Sequence, residues 1–120
     1  MGQYRDERGV IADLIPNIIG QGINSVTAIA SFKGAVRGNH FHKETDQWTY
    51  IVSGKTRVVS IINGQLIDAV YNARELIMHP AGTPHAFEAI EDTEWLVFAK
   101  GPRAGDNYEL DTFRLEIPLI

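Results

Sequence analysis

Two of the chain's four histidines, His40 and His42, stand one residue apart in the run RGNHFHKETDQWTYIVSGK, Arg37 to Lys55. Along a strand alternate side chains share a face, so an H-x-H pair sends both imidazoles to one side and Phe41 to the other. If that side is the inside of a barrel, one metal ion can take both rings. Gln47 follows the polar turn KETD and can join them from the next strand. His85 comes about forty residues later, in HPAGTPHAF, after a bend marked by Pro80 and Gly82. That bend can return His85 to the pair, with the next strand starting near Thr83. Alone, an H-x-H pair is equally the mark of two surface histidines on an edge strand. Imidazole also suits acid–base work, because its unperturbed pKa of about 6.5 lies close to working pH.

The elements that must position these residues are short strands between turn signals. INSVTAIASF is rich in β-branched residues, and QWTYIV, SGK and TRVVSII read together as a hairpin with a Gly-containing turn at Gly54. Asn63-Gly64 is a two-residue turn signal between TRVVSII and QLIDAVY, predicting a second hairpin. ELIMHP, HAFEAI and EWLVFAK follow, and DTFRLEIPLI closes the chain. Residues 11–19, IADLIPNII, come nearest to a helical pattern, but Pro16 would break it. Regular short strands of this kind predict an all-β sandwich or barrel.

The 120 residues suit a single domain, 1–120, able to bury a core without disulfides, and there is no cysteine. The net charge of −4 argues against a nucleic-acid partner, which needs a surplus of Lys and Arg. No apolar run is long enough to span a membrane. The first ten residues, MGQYRDERGV, lack the apolar core of a signal peptide, so the expected location is the cytoplasm.

The histidines belong to two longer patterns. Gly34, His40, His42, position 47 and Gly54 follow G-x5-H-x-H-x3–4-E-x6-G, and Pro80, Gly82 and His85 follow the core of G-x5-P-x-G-x2-H-x3-N. With both in order, the chain resembles the cupins. The resemblance implies a jelly-roll β-barrel with its site inside, often in a homodimer. It also implies metal ligation by His40, His42 and His85, with position 47 as the fourth ligand. Here that position carries Gln47 instead of Glu; Asp46 beside it should point away by alternation. Arg74 and Ala89 replace the first Gly and last Asn of the second pattern. Three imidazoles and an amide oxygen carry no charge. The set therefore disfavours hard ions such as Mg²⁺ and leaves zinc, nickel, iron or copper as the divalent metal. His79 reads as a strand-end histidine at the pocket rim, and as the replacement ligand if Gln47 does not bind.

Two groups of nucleotide-sugar cupins resemble parts of the chain. DERGVIADLI resembles the opening of such proteins. RGNHFHKETDQ is similar to the R-G-x-H-x-H stretch and following Gln of sugar 3,4-ketoisomerases. RGNHFHK and DTFRLEI are similar to the C-terminal cupin domain of capsular-polysaccharide enzymes. These resemblances imply an isomerase or epimerase of a 4-keto nucleotide sugar in surface-polysaccharide synthesis. A base takes a proton beside the carbonyl and a proton returns at a new position or face. In the ketoisomerase case His40 and His42 are the acid–base pair without metal; in the capsular case a metal on His40, His42 and His85 holds the structure or polarises the ketone. Arg37 and Lys43 flank the histidines as candidate contacts to the sugar diphosphate, with Tyr50 as a candidate substrate contact. Arg5 and Arg8 could fold over the barrel mouth. Trp48, Tyr50, Phe87 and Trp95 read first as core. A metal-dependent dioxygenase of another small molecule and a non-catalytic small-molecule-binding cupin are the competing classes.

Overall fold

The computed structural model describes residues 3–12, 22–101 and 110–120. Most of residues 11–19 lie outside this set. The described residues form eleven strands and no α-helix. A hairpin of β1 (Gln3–Asp6) and β2 (Gly9–Ala12) stands as its own two-stranded sheet. The rest form two antiparallel sheets. One has the order β3 (Ser25–Ser31), β10 (Thr93–Lys100), β5 (Asp46–Ser53), β8 (Leu76–His79). The other has the order β11 (Phe113–Arg114), β4 (Val36–Phe41), β9 (His85–Ala89), β6 (Lys55–Ile62), β7 (Gln65–Asn72). This is the two-sheet, all-β jelly-roll arrangement that the motifs implied.

Inward residues of both sheets interleave in a core of Ile51, Val58, Ile77, Phe87, Trp95 and Val97, with Ile29 and Tyr71 packed against it. The buried Trp95 ring donates its Nε1–H to Thr56 Oγ1 at 2.9 Å, satisfying the one polar atom it brings inside.

Local turn chemistry explains the crossings. At Asn63 and Gly64 φ is 51° and 77°, the pair of left-handed residues that a tight hairpin needs, and β6 and β7 pair from Ile62↔Gln65 onward. The hairpin expected at Gly54 is overturned. β5 and β6 do not pair, because Gly54, at φ 86°, carries the chain from one sheet to the other. A Cβ at Gly54 would run into the Asp92 carbonyl and Thr93, so the crossing needs glycine for space as well as for φ. Arg74, standing where the second pattern has Gly, still adopts φ 71°, so the backbone demand persists without the residue that meets it most easily.

Candidate active site

β4 and β9 bring His40 and His85 together. Their register runs Arg37↔Phe87, Gly38↔Ala86, then His40↔His85, so two residues of β4 oppose one of β9. Gly38 and Asn39 form this bulge with φ 92° and 56°. The bulge has a functional consequence. In a regular strand Arg37 and His40, three apart, would face opposite sides; the extra residue turns both to the inside. Gly38 has no room for a side chain, since a Cβ would lie 2.9 Å from the His85 carbonyl oxygen. Asn39 anchors the C-terminal segment: its Oδ1 accepts from the Leu119 amide at 2.7 Å, and its carbonyl accepts from Leu115 at 2.9 Å.

His42 lies just beyond β4 and is 2% exposed. Its backbone carbonyl accepts from the Gly82 amide, in the turn where Thr83 N donates to Pro80 O. That contact docks the Pro80–Thr83 turn beside the H-x-H run and delivers His85, which opens β9 instead of Thr83. The rings meet with centroid separations of 4.7 Å for His40–His42, 4.9 Å for His40–His85 and 5.4 Å for His42–His85. One nitrogen from each lies within 4.8 Å of the others.

The tautomers follow from the partners. His42 Nδ1 lies 2.8 Å from the Asp111 carbonyl oxygen and His85 Nδ1 lies 2.9 Å from the Thr83 carbonyl oxygen. A carbonyl only accepts, so each Nδ1 carries the proton and each Nε2 keeps its lone pair. His85 Nε2 is buried with no hydrogen-bond partner. Burial first, then His79 and His40, push the His85 pKa well below the ordinary value, so the ring is neutral and ready to donate its lone pair. This is the donor set of a borderline metal, with the second nitrogen fixed by a backbone carbonyl as ligating histidines usually are. The donor chemistry of His40, His42 and His85 therefore suits a metal ion, which these three residues could hold together.

A cavity of about 370 Å³ opens on this cluster. His40, His85 and Gln47 line it, with Thr49, Thr112, Arg37 and Arg114, and with an apolar wall that includes Phe87, Trp95 and Val97. Gln47 donates its Nε2–H to Thr49 Oγ1 at 3.3 Å, which leaves its amide oxygen for the cavity. Asp46 turns away, as alternation predicted, and accepts from the Ala81 amide at 2.9 Å.

His79 is not at the rim. It is 2% exposed, pairs across the ladder with Gln47, and stacks on His85 at 4.7 Å and 12°. Burial, with His42 adding, pushes its pKa down to about 4. A ring lying parallel on a ligand ring is poorly placed to share that ligand's ion, which favours Gln47 over His79 as the fourth donor.

Lys43 and Tyr50 are not among the residues that line the cavity. Lys43 is exposed, its Nζ 4.4 Å above the Phe113 ring, which stacks on Phe41 at 5.4 Å. Phe41 faces away from the histidines, and Lys43 follows it. Tyr50 alternates with the inward Thr49 and Ile51 on β5 and so faces the other side of that sheet. Arg8 is taken up in an exposed pair with Asp6 at 2.7 Å. The Arg5 side chain lies outside the described set.

Two functional candidates came only with the structure. Arg114 sits opposite His40 in the β11–β4 ladder and shares its face. Asp111, 3% exposed, accepts from the Lys43 amide at 2.9 Å, the Glu44 amide at 2.8 Å and the Thr45 hydroxyl at 2.8 Å, while its carbonyl holds His42. Burial alone would raise the Asp111 carboxyl; the Glu44 amide, the Thr45 hydroxyl and the Lys43 amide outweigh it and hold the pKa below the ordinary value.

Residues 15–110 match the cupin family model, and the chain belongs to the cupin family. Among solved structures it is similar to QdtA, a sugar 3,4-ketoisomerase from Thermoanaerobacterium thermosaccharolyticum in complex with TDP. The TM-score is 0.79 at 20% identity, over 96% of this chain and 84% of that one. It is similar to the dTDP-4-dehydrorhamnose 3,5-epimerase of Sulfolobus tokodaii, with TM-score 0.68 and 22% identity over 82% of this chain and 65% of that one. It is also similar to the capsular polysaccharide assembling protein CapF of Staphylococcus aureus, with TM-score 0.68 and 22% identity over 96% of this chain but 34% of that one. The chain thus spans about a third of CapF, and these likenesses carry the fold. No curated protein sequence is detectably similar to the chain. No helix of the described residues is long and apolar enough to cross a membrane.

Proposed function

We propose that this cupin is an isomerase or epimerase of a 4-keto sugar carried on a nucleoside diphosphate, working in surface-polysaccharide synthesis. The observation that carries the reading is the convergence of His40, His42 and His85 beside a cavity with two arginines in its lining. His40 is the half-buried member of the cluster that lines the cavity, so it is the base placed to take the proton beside the ketone. The protonated His40 then returns the proton at the new position or face, while His42, its Nδ1–H held by the Asp111 carbonyl, offers an Nε2 lone pair that can accept a proton but has none to give. The nearby fold of QdtA, solved with TDP, agrees with a nucleotide-linked substrate. A second reading is favoured by the His42 and His85 tautomers: a divalent ion on His40, His42 and His85, with Gln47 as fourth donor. Such an ion would polarise the ketone and stabilise the oxyanion. The two readings use the same lone pairs, so an imidazole bound to an ion cannot also take a proton.

The test is solvent-deuterium exchange into a panel of 4-keto nucleotide sugars, run metal-free and with added zinc. Exchange is expected, and His40→Asn should slow it about 10²–10⁴-fold, the usual contribution of a general base. Exchange that is fast metal-free and suppressed by zinc identifies the acid–base reading; the reverse identifies the metal reading. No exchange with any sugar in either state removes the proposal. A homodimer in the cytoplasm is part of the same proposal, and sedimentation velocity showing only a 13.4 kDa species would remove the dimer.

A further inference from the structure

The fourth histidine takes no part in the proton transfer or the metal ligation, yet it is buried directly behind the residues that do. His79 is 2% exposed, and its Nδ1 is enclosed with no hydrogen-bond partner among the described residues. What the ring does to its surroundings it therefore does through its flat face and its edge.

Those contacts have a definite arrangement. His79 ends β8 in the four-stranded sheet and His85 opens β9 in the five-stranded sheet, so the two rings meet across the sandwich. Their centroids are 4.7 Å apart and their planes within 12° of parallel. His79 also meets Phe87 at 5.6 Å and 71°, edge to face. Phe87 in turn packs on Trp95 at 5.4 Å inside the hydrophobic core. All three separations lie in the range of about 4.5–7 Å at which aromatic rings attract. The plane of His79 is thus set by the core, and its backbone by pairing with Gln47 on β5.

His85 needs such a support. Its Nδ1–H is tethered to the Thr83 carbonyl at 2.9 Å. A hydrogen bond weakens steeply only below about 120°, so this one selects the tautomer more sharply than it fixes the ring plane. A site must hold its working atoms within roughly 0.5 Å and 10–20° of the productive geometry, a narrower tolerance. The parallel ring of His79 supplies the difference, because tilting His85 toward it drives the two rings into overlap. His85 Nε2 then stays aimed at the point where the His40 and His42 nitrogens converge.

We infer that His79 is a positioning residue: its parallel ring, locked to the core through Phe87, holds the plane of His85. The purpose of that restraint rests on the reading of the histidine cluster as the working site, but the restraint itself belongs to the metal-free protein and is tested there.

The experiment compares the full chain with His79→Phe, which keeps a flat ring, and His79→Leu, which fills the space without one. NMR of the metal-free proteins reads the His85 tautomer and its microsecond-to-millisecond exchange, thermal melts check folding, and chelator competition gives zinc affinity. The parent and His79→Phe should each show one narrow set of His85 ring signals with the proton on Nδ1. His79→Leu should show the same tautomer with exchange broadening. Zinc affinity should fall about 10–100-fold in His79→Leu, as for other groups that orient a metal ligand, and be mostly retained in His79→Phe. An unbroadened His85 ring in His79→Leu overturns the inference whatever the zinc affinity. So does a His79→Phe protein that loses as much as His79→Leu, since the flat face would then not be what acts. Broadening with no loss of a measurable zinc affinity overturns it too, because the plane of His85 would not matter to the site. A parent in which His85 already exchanges or populates both tautomers overturns it without any variant. If the parent binds no zinc and His79→Leu still broadens His85, the restraint stands and the metal reading falls; zinc binding with an unmoved His85 ring does the reverse.

Discussion

Asp111 is the residue through which the C-terminal segment holds the site, and replacing it with Ala is the sharpest test of the geometry. Its carboxylate accepts three hydrogen bonds, from the Lys43 and Glu44 amides and the Thr45 hydroxyl. A hydrogen bond to a charged group contributes about 1.5–3 kcal/mol, but the three are not additive. Lys43 and Glu44 are exposed, so water replaces the acceptor for their amides. Thr45 is 1% exposed, and its hydroxyl loses its carboxylate where water does not reach. The expected loss is therefore about 2–4 kcal/mol, near one buried charged bond plus a fraction of two others. At about 4 °C per kcal/mol for a domain of this size, the melting temperature should fall by about 8–16 °C. The His42 Nδ1–H bond runs to the Asp111 backbone, so the mutation acts on His42 by loosening the 42–45 turn. Zinc affinity, measured by chelator competition, should drop about 10–100-fold, as for other groups that orient metal ligands. The pH dependence has a definite sign. The folded carboxyl is held below its ordinary 3.8, so its contribution is complete at neutral pH and is lost as pH falls below about 3.8 toward the folded value. An Asp111→Ala protein that melts within about 1 °C of the parent and binds zinc equally well would refute the reasoning.

Gly38→Ala would place a Cβ 2.9 Å from the His85 carbonyl at φ 92°, so thermal melts should show a loss of at least about 1–3 kcal/mol, with weakened zinc binding as the bulge shifts. His79, pushed from 6.5 to about 4, binds its proton less readily folded than unfolded. The metal-free protein should therefore lose stability as pH falls from about 6.5 to about 4, by up to roughly 3 kcal/mol from this group. His79→Phe should flatten that slope in denaturant titrations across the window, and an unchanged slope would count against it. Gln47→Glu should tighten zinc at least tenfold, about 1.4 kcal/mol, if position 47 is a ligand, and leave it unchanged if not.

The readable parts of this molecule are those fixed by local periodicity. H-x-H alternation was enough to place His40 and His42 on one side, and Asn63-Gly64 was enough for the β6–β7 hairpin, because both depend on a few consecutive residues. Gly54 shows the limit. Its turn was legible, but whether the next strand returns beside the last or crosses to the opposite sheet depends on packing against Asp92 and Thr93, nearly forty residues on. Arg37 shows a second limit, since strict alternation puts it opposite His40 and only the bulge at Gly38–Asn39 reverses that. Lys43 and Tyr50 were drawn in by nearness in sequence and are excluded by alternation. Asp111 and Arg114 act on residues about seventy positions away, and nothing in DTFRLEI by itself announces which strand it will meet.

The charge balance of the site ties these observations together. The family pattern puts a carboxylate at position 47, where it would offset half the charge of a divalent ion. Here Gln47 offsets none, and its ladder partner His79 is neutral at working pH. The described lining sets Gln47 beside a wall of Phe87, Trp95 and Val97 that keeps the local dielectric low. A divalent ion held by the histidines and Gln47 would therefore keep its full charge, where the family's carboxylate would offset part of it. Gln47→Glu restores that carboxylate, so the gain in zinc affinity measures the charge that the natural residue leaves uncompensated.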